Sequence, residues 1–253
     1  MEGGTVFARV VSGVGDEAGM VVDDDAEVLR LLGSFFEKLK QRDLYDRALI
    51  IVLSDHGEGL GDHGEEEHGI FLYREAIQVP LIVKLPGRKS AGSTIEHPVQ
   101  LVDIFPTVLS LAGAGEEAPV LFDSDHRKIY SETYYPRIHL GWSELHSLIE
   151  GDRHFIDAPR PEIYDLRRDP AEKNNLAGRS RRVLFAMNEK LGEFDRPFAS
   201  PRNVDPEEAA KLAALGYLSG TAEEGGERPD PKDRIGELTE MNEAVNLARD
   251  GNH

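Results

Sequence analysis

A short apolar run followed at once by a loop rich in glycine and histidine constrains the fold of this chain most. The run is ALIIVL at 48–53, and the loop SDHGEGLGDHGEEEHG occupies 54–69, with no space for a helix between them. An uninterrupted apolar run of this length is typical of a strand buried in a parallel sheet. Ligands of open α/β sheets bind just beyond the carboxyl ends of such strands. We therefore expect a functional site at the start of this loop.

Asp55 and His56 stand at that strand end and are the first candidate site residues. A carboxylate oxygen and an imidazole nitrogen together suit a divalent metal ion. The loop glycines allow the backbone to fold back toward a ligand. The alternative is an aspartate that caps a turn beside a surface histidine. Because residue types, position and glycines agree, the pattern favours metal binding.

The loop also carries a family resemblance, which rests on DHGE at 55–58, LGDHG at 60–64, HG at 68–69 and VPLI at 79–82. Shorter matches follow in the same order, at PG 86–87, LVDIFPTVL 101–109, AG 112–113, YSET 130–133, GWS 141–143, EIYDL 162–166, DP 169–170 and NL 175–176. With these motifs the chain resembles the second half of a sulfatase, within the alkaline-phosphatase-like superfamily.

The resemblance implies an α/β fold: part of a mostly parallel sulfatase-like sheet flanked by helices, a small antiparallel C-terminal subdomain and a helical tail. We expect half of the catalytic domain at 1–118, the α+β subdomain at 119–199, a linker at 200–232 and the tail at 233–253. The tail resembles the start of a tetratricopeptide-repeat region.

Local patterns add several elements to this outline. Three aspartates at 23–25 followed by an apolar stripe over 28–39 predict a helix that covers the sheet. A further helix is expected at 183–194. Short strands are expected at 128–133, 143–150, 153–157 and 162–166, with a tight hairpin at 150–152.

The resemblance also implies roles for the loop residues. Asp55 and His56 supply two ligands of one divalent metal ion, which is calcium in many relatives, whereas the nitrogen of His56 also suits manganese or zinc. His68 is the catalytic candidate, as a general acid that also binds the substrate. Its alternative is a loop histidine paired with the glutamates at 65–67. His63 is a second substrate-binding candidate, or a residue that shapes the loop or hydrogen-bonds to a metal ligand.

The nucleophile that the superfamily mechanism requires does not occur in a recognisable motif. The chain has no cysteine and no Cys/Ser-x-Pro-x-Arg stretch, so formylglycine cannot form within it. In the family, the nucleophile and the remaining metal ligands precede the helix that begins near Asp25. We therefore expect the C-terminal portion of a sulfatase-like enzyme, which by itself is incomplete and without turnover.

The implied activity is metal-dependent hydrolysis of sulfate esters, either small molecules or glycans. One alternative is a phosphoester or phosphonate hydrolase or a phosphotransferase of the same superfamily. Another is a non-catalytic binding or assembly module, with a protein partner docked on the C-terminal helical region.

Charge and hydropathy exclude other classes of partner. A net charge of −18 argues against nucleic acid. No apolar stretch approaches the length of a membrane span, and residues 1–20 lack the features of a signal peptide. The sequence gives no indication of compartment.

Overall fold

The computed structural model describes residues 6–8, 23–95, 97–115, 120–122, 128–194, 226–238 and 240. The α-helices are α1 (Asp23–Gln41), α2 (Arg74–Ile77), α3 (Ile104–Leu111) and α4 (Arg181–Leu191), and residues 235–238 are also helical. The strands are β1 (Val6–Ala8), β2 (Ile50–Leu53), β3 (Leu81–Lys84), β4 (Thr94–Ile95), β5 (Lys128–Thr133), β6 (Leu145–Glu150), β7 (Arg153–Asp157) and β8 (Glu162–Asp165). None of these helices combines the length and the apolar character that a membrane crossing requires.

The chain divides into two compact units. The first comprises residues 1–55 and 78–125, and the second comprises residues 56–77 and 126–253. The glycine-rich loop thus belongs to the second unit, although the strand that precedes it belongs to the first. The domain expected at 1–118 contains both this loop and strand β2, so a division between them was not predicted.

The first unit contains a four-stranded sheet in the order β2-β3-β1-β4. Its core consists of buried aliphatic residues from β3 and the segments around it, Val79, Leu81, Val83, Val99 and Leu121. Strand β3 pairs antiparallel with both β2 and β1, and among the described strands of this sheet only β1 and β4 run parallel.

The prediction of a mostly parallel sheet is therefore wrong for the strands described. A parallel pair needs a crossover connection that returns the chain to the same edge of the sheet. The chain between β2 and β3 instead enters the second unit, and its one helix, α2, has only 4 residues. An apolar run indicates burial on both faces, but it carries no information about strand direction.

Helix α1 is present where the aspartates and the apolar stripe predict it, but it does not bury that stripe. Leu31 and Phe35 are 54% and 52% exposed, and Leu32, Phe36 and Leu39 are only partly buried. The expected cover of the sheet by this helix is therefore not seen in the described residues. Helical spacing predicts that a face is apolar, whereas what the face contacts depends on the tertiary structure.

The second unit contains a four-stranded antiparallel sheet in the order β5-β6-β7-β8. One face carries Leu145, Ile156 and Tyr164, which pack with Trp142 and the segment 70–73. The other face carries Leu148, Phe155 and Ile163, which pack against Met187 and Leu191 of α4. Both faces are covered, so residues of β6 that point in opposite directions are all buried from Leu145 to Ile149.

In the C-terminal part of the chain, residues 235–238 of the expected helical tail are helical. Residues 195–225 and 241–253 lie outside the described part of the chain, so those portions of the linker and tail, and the repeat resemblance, stay predictions. The last predicted linker residues are instead ordered on the second unit, where Asp230 is 4% exposed. Ile235 and Leu238, expected on a docking helix, pack against the core cluster around Trp142.

Candidate active-site loop

The loop after β2 folds back on itself through backbone hydrogen bonds. Gly57 N donates to Ala76 O at 2.8 Å, and Gly59 N donates to Glu67 O at 2.6 Å. A Cβ atom on Gly57 would lie 1.9 Å from Glu75 O, and one on Gly59 would lie 2.2 Å from Glu65 O. These two positions therefore require glycine, because the backbone approaches too closely for any side chain.

The side chain of Glu65 stabilises the turn of the loop through hydrogen bonds to the backbone. Its carboxylate is buried and accepts hydrogen bonds from Ile70 N at 2.7 Å and Phe71 N at 3.0 Å. Burial raises the pKa of Glu65, and the two backbone N–H groups oppose that rise. This glutamate is thus a structural acceptor, and the nearby charge of His68 also acts to lower its pKa.

The structure brings together two of the predicted site residues, His56 and His68. Their rings stack with centroids 3.7 Å apart and planes inclined by 25°. His68 Nδ1 lies 3.2 Å from Glu58 Oε1, and His56 Nδ1 lies 2.8 Å from Gly57 O. Both histidines are exposed, so their rings are accessible to a solute.

His63, the other predicted substrate-binding residue, is engaged inside the second unit. Its Nδ1 bonds to Glu75 Oε1, and its Nε2 lies 3.2 Å from the backbone oxygen of Glu172. Its ring stacks on Tyr73 at 3.7 Å. Both nitrogens face acceptors, which fits an imidazolium that donates from each of them. This arrangement favours the alternative that His63 shapes the loop.

The pKa of His63 reflects the same environment. Burial lowers it, but the hydrogen bond and charge of Glu75, together with Glu172, outweigh burial and leave the pKa raised above 6.5. The positive form is therefore the one that the folded loop stabilises.

Glu172 is a residue that the sequence analysis missed. It is 1% exposed, and its carboxylate accepts from Arg74 N at 2.7 Å and bonds to His154 Nδ1. Its own backbone adopts φ +52°, which is unfavourable for a residue other than glycine. Glu172 thus ties the far end of the loop to the antiparallel sheet, since it contacts α2, β7 and His63.

A second buried carboxylate, that of Glu162, accepts hydrogen bonds from two tyrosines. Tyr73 Oη donates to Glu162 Oε2 at 3.0 Å, and Tyr164 Oη donates to the same oxygen. Burial and the nearby negative charge raise the pKa of both phenols well above 10. These tyrosines are therefore neutral donors that hold the segment 70–73 on the sheet.

The donor set for a metal ion is small. No group of three or more histidine, aspartate or glutamate side chains positioned to hold one ion occurs among the described residues. Asp55 and His56 can contribute one oxygen and one nitrogen, whereas protein metal sites generally use three or four ligands. The described residues alone therefore do not complete a metal centre.

Comparison with known proteins gives consistent results over part of the chain. Residues 26–114 match the Sulfatase family model. The chain is 27% identical over 186 residues to arylsulfatase K of Canis lupus familiaris, which covers 66% of this chain and 34% of that protein. It is 32% identical over 187 residues to an N-acetylglucosamine-6-O-sulfatase of Bacteroides thetaiotaomicron, which covers 65% of this chain and 32% of that protein.

Among solved structures, a phosphonate monoester hydrolase of Agrobacterium radiobacter aligns with a TM-score of 0.57 and 27% identity. That alignment covers 67% of this chain and 39% of the hydrolase. The chain spans about one third of the length of the curated relatives it matches. Over this part of its length the chain is therefore similar to sulfatases and to a phosphonate monoester hydrolase.

Proposed function

We propose that this chain carries part of the active site of a sulfate-ester hydrolase. The observation that carries the proposal is the stack of His56 on His68, which places the candidate metal ligand beside the candidate general acid. The likeness to sulfatases supports the reaction class. By this proposal the substrates are small-molecule or glycan sulfate esters.

His68 is the residue to which we assign proton transfer. Its Nδ1 faces the Glu58 carboxylate, so Nε2 is the nitrogen that remains to contact a substrate. The nucleophile, which the resemblance places before α1, would bond to sulfur as the bond between sulfur and the ester oxygen breaks. A proton on Nε2 can then pass to that oxygen, so that the product leaves as a neutral alcohol. Glu58 orients the ring by accepting from Nδ1–H.

Asp55 and His56 are proposed as two ligands of a divalent cation, with the remaining ligands supplied by segments that the resemblance places before α1. Such a cation would stabilise the negative charge of the sulfate group. His63 receives no contact with substrate in this proposal, because both of its nitrogens are bonded within the second unit.

Ligand binding to the 253-residue chain tests the role of His68 without requiring the nucleophile. Methyl sulfate is titrated into the chain, and the ring signals of the histidines are followed by NMR. We expect the His68 signals to shift, and we expect His68→Asn to remove the accompanying shift of the stacked His56 ring. An unchanged His68 ring at saturating methyl sulfate would contradict the assignment.

A phosphonate or phosphate ester hydrolase is the second candidate, favoured by the likeness to the phosphonate monoester hydrolase. The same titration with methyl phosphonate distinguishes the two chemistries. Tighter binding of methyl sulfate supports the sulfatase, whereas clearly tighter binding of methyl phosphonate supports the alternative.

A further inference from the structure

A C-terminal strap, residues 229–238, is fixed to the second unit by polar contacts at its start. Pro229 O accepts from Ser143 N at 2.9 Å, and the buried Asp230 accepts from Arg160 N at 3.1 Å. The guanidinium of Arg160 forms two hydrogen bonds of 2.8 Å with Asp233. Paired hydrogen bonds of this kind fix direction as well as position.

Lys232 adds the next anchor of the strap. Its Nζ lies 2.5 Å from Glu162 Oε1 and 2.9 Å from Arg160 O. The carboxylate of Glu162 also accepts the hydrogen bond from Tyr73 Oη. The strap is therefore connected through one buried side chain to the segment that follows the active-site loop.

The other end of the strap reaches the loop itself. Ile235 and Leu238 are partly buried and pack against the cluster that contains Ile70 and Trp142. A Cβ atom on Gly64 would lie 3.4 Å from Ile235 Cγ2, which is ordinary van der Waals contact. The strap thus lies directly beside the turn between His63 and His68.

A cavity lies between the strap and the loop, with two chemically different walls. The apolar wall consists of Ile70, Tyr135, Leu140, Ile235 and Leu238, and the other wall is the loop from Gly64 to His68. Glu66 and Glu67 on the loop wall are exposed, so their carboxyl oxygens can accept hydrogen bonds. His68 itself lines the cavity, and its ring stacks on His56.

The geometry points to this cavity as the subsite for the alcohol portion of the ester, with Ile235 and Leu238 as specificity-determining residues. This inference rests on the proposed function, because it places the sulfate group at His68. The two walls select an alcohol with an apolar ring face on one side and hydroxyl or amine donors on its edge. An ester with a single methyl group leaves the apolar wall empty.

The test compares 4-nitrophenyl sulfate with methyl sulfate on the 253-residue chain. NMR follows the ring of His68 and the methyl groups of Ile235 and Leu238. We expect the aryl ester to shift all three residues and methyl sulfate to shift His68 alone. Ile235→Trp fills the cavity and should weaken aryl ester binding about fivefold, while methyl sulfate is held as before.

Gly236→Ala is the matched control, because a Cβ there meets no atom within 4 Å. It should bind both esters like the unmodified chain. Folding of the Ile235→Trp protein is verified by its circular dichroism spectrum. If the variant does not fold, the methyl shifts in the unmodified chain still decide.

The outcomes separate the two proposals. If the aryl ester shifts His68 but neither methyl group, the subsite is wrong and the role of His68 stands. If neither ester shifts His68, the proposed function fails and the subsite, which depends on it, fails too. Methyl shifts without a response at His68 would also overturn the subsite, because the ring would then bind apart from the site.

Discussion

The imidazole rings of His56 and His68 stack 3.7 Å apart, although His68 lies twelve positions after His56 in the chain. The backbone makes this contact possible because Gly59 N donates to Glu67 O and returns the chain beside its own beginning. A candidate metal ligand and a candidate proton donor therefore share one exposed surface of the second unit.

A paramagnetic ion tests this proximity and the metal assignment together. With only Asp55 and His56 as donors, we expect the chain to bind Mn²⁺ weakly, with a dissociation constant on the order of 1 mM. Bound Mn²⁺ should broaden the NMR signals of both His56 and His68. Asp55→Ala should remove the broadening, whereas Asp62→Ala, which alters an aspartate of the same loop, should leave it. Loss of signal at His56 but not at His68 would mean that the stack does not persist in solution.

The sequence identified the loop because its glycines and histidines are concentrated in sixteen consecutive residues. It also identified α1, α4 and the four short strands, whose patterns are local. The partners of His63 were not predictable in this way. Glu172 is 109 residues away, and only the tertiary structure brings its backbone oxygen to Nε2.

Strand direction and the surroundings of α1 could not be predicted from the sequence, for related reasons. The apolar residues of β3 fit a parallel or an antiparallel neighbour equally well, since both bury the same side chains. The stripe at Leu31 and Phe35 predicts an apolar face but not its exposure. Pattern therefore predicted the elements, whereas their pairing depended on contacts between distant segments.

The charge of His63 should make the stability of the second unit depend on pH. Its pKa is raised in the folded chain, so its contribution is fully present below the unfolded value of 6.5 and is lost as pH rises through the folded value. Urea unfolding followed by Trp142, the single tryptophan, reports on this unit. The stability advantage over His63→Phe, which keeps an aromatic ring, should shrink as pH rises from 6 toward alkaline values.

Glu75→Gln provides the control for that experiment. It removes the charge that raises the pKa of His63 while it keeps the size of the side chain. The advantage should then decline at lower pH than in the unmodified chain. An advantage that stays constant with pH would show that folding does not raise the pKa of His63.

Glu172 should be among the residues whose removal costs most stability. Glu172→Ala leaves Arg74 N and His154 Nδ1 without their buried acceptor, and we expect a loss of about 3 kcal/mol. Glu172→Gln retains one carbonyl oxygen and should cost about 1 kcal/mol. Glu189→Ala, on the exposed side of α4, should change the free energy of unfolding by less than about 0.5 kcal/mol. Equal effects of the Ala and Gln variants would indicate that the strained backbone, and not the carboxylate, determines the cost.

Gly57 should be the least replaceable glycine of the loop. A Cβ atom there would lie 1.9 Å from Glu75 O, so Gly57→Ala must displace backbone that is hydrogen-bonded to Ala76. We expect a loss of about 3 kcal/mol in unfolding free energy, together with separation of the histidine rings seen by NMR. Gly178→Ala, where a Cβ meets nothing within 4 Å, is the matched change in the same unit and should be nearly neutral. If Gly57→Ala were as stable as Gly178→Ala, the close return of the loop to α2 would be incorrect, and the stack of His56 on His68 would lose its structural basis.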